Sequence, residues 1–167
     1  MDNTMFRTEL KLKPWSQRLD YSSRIVTLGS CFANNIAQRL AHSKFQVEDS
    51  PTGILFNPAS IARNIELMIG GRGIAQESLV RLGQRWVSYE AHSLLSGATA
   101  ESAMDAINSA LRIGSEAIAE CDILIITLGT AWVYRLRSTD EVVANCDKQP
   151  SSLFRRELLS VDECVEA

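Results

Sequence analysis

"RIVTLGSCFANNIAQRL", Arg24 to Leu40, decides the fold. It opens as a short apolar run ending at Gly29, the pattern of a strand buried on both faces. It then changes period. Phe32, Ile36 and Leu40 stand four apart with Ala33 and Ala37 beside them, so the spacing predicts a helical face reaching about Ser43. Gly29-Ser30-Cys31 forms the joint, which puts Ser30 at the carboxyl end of a strand and the start of a helix.

A second run, "DILIITLG", Asp122 to Gly129, is the strongest buried-strand signal in the chain, and a long helical stretch from about Thr99 to Glu120 precedes it. That stretch carries Met104, Ile107, Leu111 and Ile118 on one side. The two runs predict central strands of a mostly parallel sheet with helices outside, an α/β fold. Ligands of such sheets bind at the carboxyl ends of the strands, where Ser30 and Thr130 stand.

Between the two runs, "FQVEDSPTGILF" reads as an extended segment broken by the turn composition Ser50 to Gly53. Asn57-Pro58 starts a helix, with Asn as the cap and Pro at the first turn, where its missing N–H costs nothing. Ile61, Ile65, Met68 and Ile69 give that helix its buried face, and Gly70-Gly71 ends it. "SLVRLGQRWVSYEAH" predicts a hairpin turning at Gly83, with Val87, Tyr89 and Ala91 alternating against Trp86, Ser88 and Glu90. "AWVYRLRSTDEVVANC" predicts two strands about a Ser138–Asp140 turn, and Phe6, Thr8, Leu10 and Leu12 alternate as a half-exposed N-terminal strand would.

The 167 residues suit a single domain spanning 1–167, and 46% apolar with 22% charged residues is a globular balance. The net charge of −3 and the scatter of Lys and Arg exclude an electrostatic case for nucleic acid or an anionic membrane. No apolar run is long enough to span a bilayer, and the N-terminus lacks a signal-peptide core. The four cysteines have neither metal-like nor redox-like spacing, so a reduced, cytoplasmic protein with no metal and no cofactor is expected.

Ser30 has two readings. As an N-cap it satisfies a free helix N–H; as a nucleophile it would use the positive potential of the same helix end. Cys31 beside it reads as a small buried thiol. Gly53 is a turn glycine whose N–H a loop could bring beside Ser30. Asn57 and Thr130 offer an amide and a hydroxyl, each with a capping role as the alternative. Of the two histidines, His42 falls at a helix end and suits the surface, while His92 is either a structural residue or the candidate base. No phosphate-binding loop is present.

Five ordered motifs, "TLGSCFA" (27–33), "GILFNP" (53–58), "AHSLLS" (91–96), "ITLGTAWVY" (126–134) and "VVANCDKQP" (142–150), resemble the GSCFA family. That family is grouped with the SGNH, or GDSL-like, hydrolases. The resemblance implies a three-layer α/β/α fold in which Ser30 stands where the nucleophile would be and Gly53 where an oxyanion-hole glycine would be. It implies hydrolysis or transfer of O-acyl esters of a carbohydrate or another small molecule. A non-catalytic ligand-binding domain on the same fold, or an inactive truncated product, is the alternative.

Two departures bear on that implication. Gly129-Thr130-Ala131 has Ala where SGNH enzymes usually carry Asn, and Asp147 stands where the family leads one to expect His. No Asp-x-x-His element occurs, although the resemblance implies one near the C-terminus. Ser160 and Glu163 form a capping box for a helix with barely one turn before Ala167, so the protein is expected to continue.

Overall fold

The computed structural model describes residues 10–14, 16 and 18–167. Its elements are β1 (Arg24–Gly29), α1 (Cys31–His42), β2 (Gln46–Asp49), α2 (Pro58–Ile69), β3 (Leu79–Leu82), β4 (Arg85–Ser88), α3 (Ala100–Glu120), β5 (Ile123–Thr127), β6 (Trp132–Leu136), β7 (Val142–Val143), β8 (Phe154–Leu158) and α4 (Val161–Glu166). β1 pairs in parallel with β2 on one side and β5 on the other, giving a three-stranded sheet of order β2-β1-β5. β3 and β4 form an antiparallel hairpin, and β7-β6-β8 form a separate antiparallel sheet. The fold is therefore mixed α/β around a small parallel sheet.

β1 is buried along nearly its whole length, and its alternation divides the packing. Val26 and Leu28 join a cluster with Leu55, Ile61 and Met68 from the loop and α2, and with Ile107 and Leu111 from α3. Ile25 is as deeply buried but lies outside that cluster, as do Ala33 and Ala37 of α1. Each buried Leu or Ile contributes about 1.5–3 kcal/mol. Gly114 lets α3 approach Met68 of α2, because a Cβ there would fall 2.6 Å from its sulfur.

The caps act as their residue types dictate. Ser30 accepts from the Phe32 N–H, Asn57 from Ser60, and Thr99 and Ser160 form capping boxes with Ser102 and Glu163.

Six expectations need correction. Phe32 is 62% exposed, because α1 packs through Ala33 and Ala37 and turns its first aromatic ring outward. Cys31, at the first turn of the same helix, is exposed rather than buried. Ile69 is 68% exposed at the fraying end of α2. β5 is central in its hydrophobicity but lies at the edge of the sheet among the described residues, leaving Ile126 and Leu128 exposed. β4 ends at Ser88, so Tyr89 to Ala91 turn away instead of continuing the alternation. Phe6 and Thr8 lie outside the described residues, and Leu10 and Leu12 are exposed and not in a strand.

Candidate functional site

Two places are built where the strands β1 and β5 end, and Phe56 stands between them. The first surrounds Ser30. β1 terminates at Gly29 with φ +130°, a conformation open to glycine, and a Cβ there would lie 2.2 Å from the Thr127 carbonyl oxygen. The bend turns Ser30 onto the N-terminus of α1, where it is 7% exposed. Its Oγ accepts from Phe32 N at 3.3 Å and pairs with Thr127 Oγ1 at 3.1 Å. The Ser30 N–H is already donated to the carbonyl and hydroxyl oxygens of Thr127. Gly129 lies over the serine, because a Cβ on it would sit 3.1 Å from Ser30 Cβ and 3.3 Å from Phe56 Cδ1.

The loop from Ser50 to Asn57 ties the strand ends together. Leu55 N donates to Gly29 O, and Phe56 O accepts from both Gly129 N and Thr130 N. Gly53, at φ +86°, donates its N–H to Ser50 O at 2.7 Å, so that N–H closes a turn and does not point at Ser30. The space a side chain would need at Gly53 is filled by His92, whose Cβ would be 2.4 Å away. Gly53 is thus where the loop meets His92.

The second place is a cleft of about 640 Å³ between this loop and the β7-β6-β8 sheet. His92, Asn57 and Thr130 line it; Ser30, Gly53 and Gly129 do not. Asn57 is spent on its cap, its Oδ1 accepting from Ser60 N at 2.8 Å. Thr130 Oγ1 accepts from Trp132 N at 3.0 Å, which leaves its hydroxyl hydrogen to donate. His92 Nδ1 accepts from Leu94 N at 3.2 Å. Neutral His92 therefore carries its proton on Nε2 and is a donor there.

Asp147 was visible in the sequence only as a departure from a family pattern, and the structure gives it a place. It lies in the turn after β7, in the left-handed region at φ +47°, followed by Lys148 at φ +58°. Asn145 fixes the turn by donating to Ala91 O and accepting from Asp147 N. Both Asp147 oxygens are buried, and no group among the described residues donates to either. Burial pushes its carboxyl above the usual range, against the opposing pull of Arg85 and His92. Burial likewise raises the Cys146 thiol and the Tyr89 phenol, with Asp147 adding to both.

Among the described residues no group of three or more His, Cys, Asp or Glu could hold a metal ion, and no helix is long and apolar enough to cross a membrane. Sequence reasoning misses Thr127 and the exposed rings of Trp132 and Tyr134. The one available signal for Thr127 was the repetition of Thr-Leu-Gly at the ends of both strands.

A mixed α/β domain with a serine capping the helix that leaves its central strand, beside an aromatic cleft, is the class of protein this geometry defines. The sequence profile of the GSCFA family matches residues 24–167, and the chain belongs to that family. No curated protein and no solved structure matches it.

Proposed function

We propose that this is an SGNH-like, three-layer α/β/α acyl-transfer domain in which Ser30 attacks O-acyl esters of a carbohydrate or another small molecule. One observation carries the reading. Ser30 Oγ sits on the N-terminus of α1, accepting a backbone N–H, under a glycine that keeps side chains off it. A helix N-terminus favours the negative charge an attacking serine develops. Oγ would bond to the acyl carbon as its proton passes to a base. The alcohol leaves with that proton, and water or a second alcohol releases the acyl group. Among the described residues the only side chain bonded to Oγ is Thr127, so the proton acceptor has to come to Ser30. His92 would first have to release Leu94.

The alternative is a domain that binds the same ligands without turnover. It is favoured by the cleft, which does not reach Ser30, and by the N–H groups of Ser30 and Gly53, which are both already bonded. The experiment is labelling with a fluorophosphonate, a serine-directed probe, followed by peptide mass spectrometry, with p-nitrophenyl acetate turnover alongside. Acyl transfer predicts modification at Ser30 and at least about a 100-fold loss of turnover in Ser30→Ala. An unmodified Ser30 with no p-nitrophenyl acetate turnover above background would give the protein to the binding reading.

A further inference from the structure

We propose that Asp147 is a ligand-binding residue, its carboxylate accepting hydrogen bonds from the hydroxyl groups of a polyhydroxylated ligand, a sugar, seated in the cleft. A folded protein seldom leaves both oxygens of a buried carboxylate without a donor, since each orphaned acceptor costs free energy. Here the cost is incurred twice: the turn that carries Asp147 also holds two successive non-glycine residues in the left-handed region. Such strain gathers at binding sites, where it prearranges a group for its ligand.

The rest of the cleft selects the donor's chemistry. Trp132, Tyr134 and Phe56 are between 40% and 44% exposed and all line it. Partly exposed rings from the loop and from β6 suit the weakly positive C–H faces of a pyranose, which pack on the negative face of an aromatic ring. Arg156 already covers one face of Trp132 at 4.0 Å. Arg156 and Lys148 both line the cleft, so a second cation as Asp147's partner would be opposed by like charge. A neutral hydroxyl donor meets no such opposition. Thr130, with its free hydroxyl hydrogen, and His92, with Nε2–H, add two donors for the sugar's oxygens.

This deepens the acyl-ester reading by naming the alcohol part of the ester, and rests on that reading for the link to Ser30. Its test measures binding alone. The 15N-labelled chain is titrated with methyl β-D-glucopyranoside, methyl β-D-galactopyranoside and methyl α-D-mannopyranoside, with propylammonium and acetate as charged controls. Amide shifts of residues 144–149 that saturate with at least one glycoside, and weaken at least about tenfold in Asp147→Asn, are the expected result. Three results overturn it: glycoside binding equal in Asp147→Asn, tighter binding of propylammonium than of every glycoside, or no saturation by any of the three glycosides.

Thermal melting separates a binding role from a structural one. Asp147→Asn removes an unpartnered buried charge, so its melting midpoint should rise at neutral pH; a fall would show a carboxylate that holds the fold. Arg85 and His92 act on Asp147, Asp147 in turn acts on Cys146 and Tyr89, and all four are retained in this variant. Sugar binding by the unmutated chain whose Ser30 takes no fluorophosphonate would sink the catalytic proposal and leave this one standing.

Discussion

Thr-Leu-Gly occurs twice, closing β1 at 27–29 and starting from the last residue of β5 at 127–129, and the two tripeptides do different things. Thr27 is fully buried and donates to Asp49, Leu28 is 1% exposed, and Gly29 takes φ +130°. Thr127 is half-buried and pairs with Ser30, Leu128 is 61% exposed, and Gly129 stands over the serine. The parallel register explains the split. Gly29 lies opposite Thr127, so the second tripeptide runs two residues beyond the first and overhangs it. One copy closes the core, and the other makes the rim of a site.

The sharpest way to break that contrast is at the glycines. Gly29→Ala forces a Cβ onto the Thr127 carbonyl in a conformation alanine resists, and should cost about 4 kcal/mol from strain and overpacking together. Gly129→Ala meets only contacts at 3.1 Å and beyond, and should cost less than about 1 kcal/mol. Denaturant midpoints of the two variants test this, and similar losses would show that both strand ends are structural.

The leucines come next. Leu28→Ala should cost about 3 kcal/mol, as a buried leucine does. Leu128→Ala should stay within about 0.5 kcal/mol. A large loss at Leu128, read in the same unfolding curves, would mean that the exposed edge of β5 is covered in solution.

The same comparison shows what the sequence could carry. Strand, helix and cap were legible because they are written locally: the apolar runs of β1 and β5, the Asn57-Pro58 start, the Ser160-Glu163 box. The hairpin at Gly83 was legible for the same reason. Leu28 and Leu128 sit in nearly identical strings, yet burial depends on which strand has neighbours on both sides, which no string reports. β8 escapes because Phe154–Leu158 carries three charges in five residues and, among the described residues, pairs only with β6. The sequence marks Gly53 as a turn glycine that a loop could bring beside Ser30, whereas the side without a Cβ packs on His92, 39 residues along the chain. Asp147 is the extreme case. Its meaning lies in the donors it lacks, and only the folded turn shows that lack.

The smallest effect, and the most informative about Ser30, belongs to the threonines. Thr27→Val leaves Asp49 with Asn34 as its remaining side-chain donor and should cost about 1–2 kcal/mol, with no change at Ser30. Thr127→Val removes the hydroxyl that meets both the N–H and the Oγ of Ser30, but at a half-exposed edge, so its stability should fall by less than about 1 kcal/mol. Its effect should appear in chemistry: the rate of fluorophosphonate labelling at Ser30 should drop severalfold, because the hydroxyl that positions Oγ is gone. Equal labelling rates in the two valine variants would place Thr127 beside Ser30 without a part in orienting it. The helix N-terminus would then be left as the only feature acting on Oγ.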